Sequence, residues 1–325
     1  MMVRLAKYLM VVVTVFGLMA CAQQLGRQAD GGMTGTGSPM VTIGTVTKFG
    51  SVIVNGFDWN SDKARVVVNG RATSVAKGLR LGMIVRVEGT RAVDGENSGV
   101  ANTIQYESDL IGPMNRASLR TEGLVTKFSV AGQPIFVDRS TVLEGFDQLT
   151  TLGEGDQLEI SGFRDRFYAL RATWIRKTSD ERDQIRVKGV ASDVTDKSFK
   201  VEGLTVRYPK ELAVRAAGIR EGTFVAVSGK RVAGEDMTVL ADGMTPVSVA
   251  VSLPEDTPVI MEGLIKSVTP AGFTMHNRPI IIGSATSFAQ GSVADLREDT
   301  KVHVIGRFKS GAFDAFKVIV AKQVN

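Results

Sequence analysis

The chain has few of the side chains that most catalytic and metal-binding sites use. Its 325 residues include one cysteine and two histidines, so an internal disulfide is excluded and no spaced Cys or His set predicts a zinc site. A glycine-rich phosphate loop with its lysine is also missing from the sequence. We therefore expect no catalytic residues, no metal and no cofactor, and we interpret the chain as a non-enzyme.

Charge of one sign and long apolar runs are also scarce. The formal net charge is only +5, and lysines and arginines are interspersed with acidic residues throughout. A nucleic-acid-binding surface normally concentrates its basic residues, so we expect no nucleic-acid partner. The apolar run "YLMVVVTVFG" at residues 8–17 is shorter than the roughly 20 residues that cross a bilayer as a helix.

The beginning of the chain has the pattern of a secretory signal. Arg4 and Lys7 precede the apolar run, and a short motif follows it: Leu18, Met19, Ala20 and Cys21. This motif resembles the bacterial lipobox, in which the signal is removed and the cysteine is acylated. The resemblance implies a signal peptide at 1–20, lipidation at Cys21 and the membrane as a partner through this anchor. The alternative is a secreted protein with a free thiol near its cleavage site.

The residues after Cys21 indicate location and a spacer. Ala22 stands where an aspartate would favour inner-membrane retention, so the resemblance implies an outer-membrane lipoprotein facing the periplasm if the source is Gram-negative. The segment "AQQLGRQADGGMTGTGSPM" is rich in Gly, Gln, Ser and Thr and has little to bury. This composition predicts a flexible linker, and we assign residues 21–40 to the lipidated cysteine and this linker.

After the linker, one pattern of roughly 65 to 80 residues occurs four times. Each copy opens with a glycine in a β-rich phrase, at Gly44, Gly123, Gly189 and Gly263. Each copy closes with a second glycine phrase, at Gly89, Gly162, Gly229 and Gly306. We therefore predict four domains, at residues 41–115, 116–180, 181–250 and 251–325.

The pattern within each copy predicts an all-β fold. Apolar residues alternate with polar ones in phrases such as "VRVEG" and "LEISG", as in half-buried strands, and Gly, Asp and Asn separate the strands. A short helix is predicted between the third and fourth strands. Three strands, a short helix and two strands are the order of a five-stranded OB-like barrel, which closes its own edges. We expect four self-contained barrels in tandem; small β-sandwich repeats are the alternative.

The first copy also resembles a known family. Its phrases "IGTVTKFGSVIVNG", "LRLGMIVRVEG" and "GVANTIQY" resemble the bacterial envelope domain of unknown function DUF5666. The pattern positions are Gly44, Phe49, Gly50, Val52, Val54, Asn55, Gly56, Leu81, Gly82, Val85, Val87, Gly89, Ala101 and Ile104. The second copy resembles the family less completely, and the third and fourth retain mainly their glycines. The resemblance implies architecture and location, and it supplies no activity, cofactor or catalytic residue.

Two groups of side chains are candidates for a site. Asn55, Phe57 and Trp59 lie close together near the first hairpin, where exposed rings would form a platform for a sugar or peptide. The alternative is that Phe49 belongs to the core and Trp59 covers an end of the barrel. His276 and His303 are interpreted as solvated surface residues.

These observations predict a lipid-anchored cell-envelope protein that binds or scaffolds without catalysis in the periplasm. An envelope protein or a glycan is the expected partner, and nothing in the sequence indicates an oligomeric state. One alternative function is carbohydrate or other envelope-ligand binding on an OB-like barrel face. The other is a hydrolase with an Asp or Glu pair between two copies.

Overall fold

The computed structural model describes residues 37–93, 97–179, 184–235, 237–246, 256–276, 278–309 and 312–321. The chain divides into two units, Met1–Thr36 and Gly37–Asn325, and all of these residues belong to the second unit. The predicted signal peptide, the lipobox residues and Cys21 therefore lie outside the described residues, as does nearly all of the predicted linker.

The described residues form 24 strands and a few short helical turns, grouped in four barrels. Barrel 1 contains β1 (Pro39–Lys48), β2 (Val52–Val54), β3 (Phe57–Asn60), β4 (Arg65–Val68), β5 (Arg71–Thr73), α1 (Val75–Gly78), β6 (Ile84–Arg91) and β7 (Ser98–Tyr106). Barrel 2 contains β8 (Leu110–Glu122), β9 (Val125–Val130), β10 (Gln133–Val137), β11 (Val142–Glu144), a 3₁₀ turn (Leu149–Thr151), β12 (Gln157–Arg164) and β13 (Leu170–Lys177).

The second half of the chain repeats this order. Barrel 3 contains β14 (Gln184–Ser192), β15 (Ser198–Val201), β16 (Leu204–Arg207), a 3₁₀ turn (Lys210–Leu212), α2 (Ala213–Ala216), β17 (Phe224–Arg231) and β18 (Thr238–Pro246). Barrel 4 contains β19 (Pro258–Leu264), β20 (Ser267–Thr269), β21 (Gly272–Met275), β22 (Arg278–Ala289), a 3₁₀ turn (Val293–Asp295), β23 (Lys301–Lys309) and β24 (Ala312–Val320).

The strand pairing confirms the OB-like fold. In barrel 1 the strands pair in the closed order β1-β2-β3-β7-β6-β1, with β3 and β7 parallel and every other pair antiparallel. Barrels 2 and 3 close in the same way. In barrel 4 the first strand is split: β19 pairs with β23, and β20 pairs with β21. This closed order excludes the sandwich alternative.

Each closing glycine lies at a bulge in the fourth barrel strand. The register between that strand and the last one shifts at Gly89, Gly162, Gly229 and Gly306. A β-carbon at any of these four positions would overlap a carbonyl oxygen of the last strand. The close backbone approach therefore explains why a glycine recurs at this point of all four copies.

The opening glycines leave room for a side chain from the hairpin that follows. Asn55, Glu202 and His276 fold back over Gly44, Gly189 and Gly263 respectively. All three residues begin a tight turn in the left-handed conformation, with φ near +50°. The pattern therefore connects the first strand of a barrel with the turn between its second and third strands.

The predicted start of the second copy is wrong. Gly123 lies in the turn between β8 and β9, and Gly112, which packs against Ala131, has the place of the opening glycine. The predicted boundary between residues 115 and 116 falls inside β8. The first strand of this barrel, β8, already ends at Glu122. The repeated phrase "GLVTKF" at residues 123–128 therefore lies in the following turn and in the second strand, β9.

The barrels are not self-contained, which corrects the expectation of separate beads. The first strands of barrels 1 and 4 pair in parallel, and the first strands of barrels 2 and 3 pair antiparallel. These ladders join barrels 1 and 4 in a 13-stranded sheet and barrels 2 and 3 in an 11-stranded sheet. Trp174 of barrel 2 is fully buried in the apolar core of barrel 1. Neighbouring barrels therefore complete each other's cores.

Candidate functional site

A cavity of about 200 Å³ lies where residues of all four barrels meet. Its polar lining contains His276 and two groups of charged side chains. The cations are Arg86, Arg164, Lys188 and Lys266, and the carboxylates are Glu107, Asp109 and Glu202. Apolar walls are contributed by Ile43, Ile84, Phe163, Phe224 and Leu264. A concave site of this composition has the mixture of apolar surface and a few fixed polar groups that is typical of ligand pockets.

The repeat places several of these side chains. Glu202 and His276 occupy the hairpin turns of barrels 3 and 4, where Asn55 stands in barrel 1. Arg164 ends β12, two residues after the bulge at Gly162. Asp109 lies in the short connection between β7 and β8. The cavity is therefore built mainly from turns, strand ends and a connection.

One side of the cavity is electrostatically neutralised. Lys188 Nζ lies 2.9 Å from Asp109 Oδ1 and donates a hydrogen bond to the carbonyl oxygen of Glu107 at 3.0 Å. Asp109 Oδ2 also accepts a hydrogen bond from the backbone N–H of Gly162 at 3.0 Å. Burial raises the pKa of Glu107, and Arg186 and Lys188 partly offset this effect. These contacts fix the side chains of Lys188 and Asp109 across the junction of barrels 2 and 3.

On the other side, Arg164 is buried with part of its hydrogen-bonding capacity unused. Its Nη1 donates to Gln133 Oε1 at 2.9 Å and to the carbonyl oxygen of Tyr168 at 2.8 Å. Within the described residues, its Nε and Nη2 have no hydrogen-bond acceptor, and the nearest carboxylate oxygen to Nε, Glu202 Oε2, is 3.9 Å away. Glu202 Oε2 likewise has no donor there. Burial lowers the pKa of Arg164, and the charges on Glu202, Asp109 and Asp165 partly oppose this effect.

Lys266 has no carboxylate oxygen within 4 Å in the part of the chain that the structure describes. Its Nζ lies 4.9 Å from the centre of the Tyr168 ring, which is a favourable cation–π distance. Burial lowers the pKa of Lys266, and the charge on Arg164 adds to this effect. The charges on Glu202, Asp165 and Asp299 oppose it. Lys266 is therefore a partly buried cation without a direct counter-ion.

The structure corrects the interpretation of His276 as a solvated residue. It is half-buried in the cavity lining, its ring centre is 6.3 Å from that of Phe163, and its Nε2 lies 2.7 Å from the carbonyl oxygen of Glu262. Because a carbonyl oxygen only accepts, Nε2 carries the proton in this contact. Burial lowers the pKa of His276, so the ring is neutral at pH 7. His303 is partly exposed at the junction of barrels 1 and 4, 3.9 Å from Glu262.

The expected ligand platform is not on the surface. Phe57 and Trp59 are 1% and 0% exposed, pack against each other with ring centres 4.6 Å apart, and fill barrel 1. Trp59 Nε1 donates to Thr42 Oγ1 at 2.9 Å, and Asn55 Nδ2 donates to the carbonyl oxygen of Ile43 at 2.8 Å. The rings are buried because Phe57 and Trp59 alternate on the inward face of β3. They are therefore inaccessible for stacking on a sugar.

Sequence reasoning missed the cavity because its residues are distant in sequence and share no local motif. One signal was present: Glu202 and His276 replace the turn asparagine of the first copy with titratable side chains. Over the described ranges, no group of three or more His, Cys, Asp or Glu residues has the geometry of a metal site. In the same ranges, no helix has the length and apolar character needed to cross a membrane.

Two segments of the chain match the model of a family described as Domain of unknown function (DUF5666), at residues 118–176 and 262–319. This confirms the resemblance stated from the sequence. The matched segments lie in barrels 2 and 4, whereas the phrases that suggested the family lie in barrel 1. Among curated proteins, no sequence matches the chain.

Two solved structures of the single-stranded DNA binding protein from Thermus aquaticus are similar to part of the chain. They are the wild-type protein and a deletion mutant, each with 16% identity and a TM-score of 0.26 over 45% of this chain and 94% of theirs. The partner prediction, which excluded nucleic acid, is corrected by this finding, because both neighbours are single-stranded DNA binding proteins. At this TM-score, the likeness does not assign a ligand to this chain.

Proposed function

We propose that this chain is a non-enzymatic binding protein of the cell envelope that holds a small ligand in the cavity between its four barrels. The observation that carries the proposal is the cavity itself, which combines apolar walls with buried charged groups from separate barrels. The lipobox-like motif at Leu18, Met19, Ala20 and Cys21 supports the location, with Cys21 acylated and the signal removed. If the source is Gram-negative, Ala22 favours the periplasmic side of the outer membrane as the location.

Binding is favoured over catalysis by the way in which the charged groups are held. Asp109 is occupied by Lys188 and by the Gly162 N–H, so it is poorly placed to exchange a proton with a substrate. His276 uses Nε2 on a backbone carbonyl, and burial disfavours its protonated form. Groups fixed in this way suit recognition, which needs preformed polar contacts, better than general acid–base chemistry.

The ligand-binding proposal is tested on the acylated protein purified from its own membranes. Native mass spectrometry should detect a small molecule bound to the wild-type protein, and a compound set of mixed charge should include molecules that raise its melting temperature. Ile84→Phe, which adds volume to the cavity wall, should abolish both signals. Leu240→Phe, at an exposed position, is the matched control and should leave them unchanged. The proposal is wrong if no molecule is bound and no compound of any charge stabilises the protein.

The location is tested separately through Cys21. Labelled palmitate should be incorporated into the wild-type protein and not into Cys21→Ser, because only the thiol accepts the thioether-linked lipid. The wild-type protein should fractionate with membranes, and the serine variant should be released into the soluble fraction. An unlabelled, soluble wild-type protein would contradict the proposed anchor and leave the cavity proposal unaffected.

A further inference from the structure

We infer that the cavity binds a small organic anion, with its negative group near Lys266 and Arg164 and its apolar part against the surrounding walls. The inference rests on the proposed function and names the class of ligand for the same cavity. It follows from the charge balance, the unused hydrogen-bond donors and the size and lining of the cavity.

The cavity has an excess of positive charge. Four cations face three carboxylates, and one of the cations, Lys188, is directly paired with Asp109. Arg86 has its carboxylate partner, Glu88, outside the cavity lining. Lys266 Nζ lies beside the Tyr168 ring, and no carboxylate oxygen of the described residues is within 4 Å of it. A partly buried cation without a counter-ion is unfavourable, so an anion that enters this space gains a strong electrostatic interaction.

Hydrogen-bond donors in the lining also lack acceptors. Arg164 Nε and Nη2 and Arg86 Nε are buried without an acceptor in the residues that the structure describes. Buried donors are nearly always satisfied in proteins, because a buried donor without an acceptor destabilises the folded state. A carboxylate accepts hydrogen bonds from guanidinium and ammonium groups with favourable geometry. The Nη1 of Arg164 is held by Gln133 and Tyr168, but its Nε lies 3.9 Å from Glu202 Oε2, which is longer than the 2.9 Å between Lys188 Nζ and Asp109 Oδ1.

The apolar walls distinguish an organic anion from an inorganic one. Ile43, Ile84, Phe224 and Leu264 offer no hydrogen bond to a fully hydrated ion such as phosphate. The volume of about 200 Å³ corresponds to roughly seven water molecules at their share of liquid volume. A carboxylate on a short hydrocarbon chain can interact with both parts of the lining. Its charged group contacts the cations, and its hydrocarbon chain packs against the apolar walls and buries them from water.

Three probes with the same hydrocarbon chain and different charge test the inference. Pentanoate, pentanol and pentylammonium are titrated by calorimetry into the full acylated protein, with inorganic phosphate as a fourth probe. Pentanoate should bind roughly ten- to hundredfold more tightly than pentanol, as expected for hydrogen bonds to charged groups. Pentylammonium and phosphate should bind more weakly than pentanoate.

Variants of Lys266 connect the effect with this cavity. Lys266→Met keeps the length of the side chain and removes its charge, so it should lower pentanoate affinity by about tenfold or more. Lys266→Arg keeps the charge and should retain binding. Lys127→Met, at an exposed lysine paired with Glu122, is the matched control and should leave affinity unchanged. If Lys266→Met does not fold, the affinities of the wild-type protein for pentanoate, pentanol and pentylammonium alone test whether the cavity prefers an anion.

The outcomes separate this inference from the proposal on which it rests. Equal binding of pentanoate and pentanol, preference for pentylammonium, or an unchanged affinity in Lys266→Met would overturn the anion and leave a cavity that binds another class of ligand. Tighter binding of phosphate than of pentanoate would overturn the organic part. Failure of every compound in the mixed-charge set would instead overturn the proposed function.

Discussion

Barrel 1 meets barrel 2 and barrel 4 through junctions of different chemistry. Toward barrel 2, Trp174 is fully buried against Tyr106, with ring centres 6.1 Å apart in an edge contact, and its Nε1 donates to Glu144 Oε2 at 3.0 Å. Toward barrel 4, β1 and β19 pair in parallel, and Glu262 accepts a hydrogen bond from the Thr45 N–H at 2.7 Å. The junction with barrel 2 combines this ring with a buried carboxylate, Glu159, which accepts from Asn69 Nδ2 at 2.9 Å. The junction with barrel 4 combines a strand ladder with the buried carboxylate of Glu262.

At the junction with barrel 4, the cations near the Glu262 carboxylate come from barrel 4 itself. Glu262 is 2% exposed, forms an ion pair with Lys301, and lies 3.9 Å from His303. Because the burial of Trp174 does not depend on protonation and the ion pair of Glu262 does, variants of these two residues should respond differently to acid. The comparison teaches that the residues joining related barrels can differ in whether their contribution to stability depends on pH.

The largest effect is expected from Trp174→Ala. The change leaves a cavity in the core of barrel 1 and removes the hydrogen bond to Glu144, so the free energy of unfolding should fall by about 3–5 kcal/mol. Urea unfolding followed by circular dichroism measures this loss. Phe167→Ala, at a ring that is 70% exposed, is the control and should change it by less than about 0.5 kcal/mol. Equal effects of both variants would show that Trp174 does not join the barrels.

A smaller effect is expected from Glu262→Gln at the other junction. Glutamine keeps the shape and can still accept from Thr45, but the ion pair with Lys301 is lost. Since Lys301 is partly exposed and can turn to water, we expect a loss of about 1–3 kcal/mol. Unfolding at neutral pH measures it. A loss as large as that of Trp174→Ala would contradict the ranking of the two junctions.

The acid response should distinguish the junctions further. Burial alone would raise the pKa of Glu262, but Lys301, His303 and the Thr45 hydrogen bond outweigh it and lower the pKa below 4.5. Its stabilisation is therefore present above pH 4.5 and is lost as the pH falls through the folded-state value. Burial lowers the pKa of His303 below 6.5, with Glu262 partly opposing, so stability also begins to fall below pH 6.5.

Melting temperatures between pH 7 and pH 3 measure this response. Compared with the wild-type protein, Glu262→Gln should lose less stability below pH 4.5, and His303→Gln should lose less just below pH 6.5. Trp174→Ala should keep the wild-type dependence on pH, although its melting temperatures are lower throughout. If the melting temperature of Glu262→Gln falls with pH as steeply as that of the wild-type protein, other carboxyl groups dominate acid unfolding.

The smallest effect is expected where barrels 2 and 4 meet at the surface. Arg166 pairs with Glu298 and lies 3.3 Å from Asp299, but the Arg166 and Glu298 side chains are about two-fifths exposed. Solvent screens such pairs, so Arg166→Ala should cost at most about 1 kcal/mol, and less at high salt. Unfolding at low and high salt checks this. If Arg166→Ala lowers the free energy of unfolding by more than Glu262→Gln does, the exposed ion pair stabilises the contact between barrels more than the buried one.

The repeated local features were predictable from the sequence. Alternation within the strands, turn residues between them and the closing glycines at Gly89, Gly162, Gly229 and Gly306 led to four OB-like barrels because each feature acts over a few neighbouring residues. The predicted start of the second barrel, residue 116, lies six residues after the beginning of β8 at Leu110, because the glycine phrase at Gly123 occurs one strand later in its barrel than the phrase at Gly44.

The candidate site was not predictable in the same way. From the sequence, Trp59 was predicted to stack on a ligand. It lies on the inward face of β3 and is buried in the core. Lys266 and Arg164 carried no signal, because nothing in their local sequence shows that the interruption between β19 and β20 faces the end of β12. Composition and spacing describe neighbours along the chain, whereas this cavity depends on contacts between residues about one hundred positions apart.

By itself, the sequence determined that this chain forms several small β-barrels, because strand alternation, turn chemistry and bulge glycines are local properties of the backbone and its side chains. Only the tertiary structure decided which first strands pair, where Trp174 is buried, and which charges meet in the cavity. These arrangements depend on the burial of apolar faces and on electrostatic interactions between distant segments, and no short stretch of residues specifies either of them.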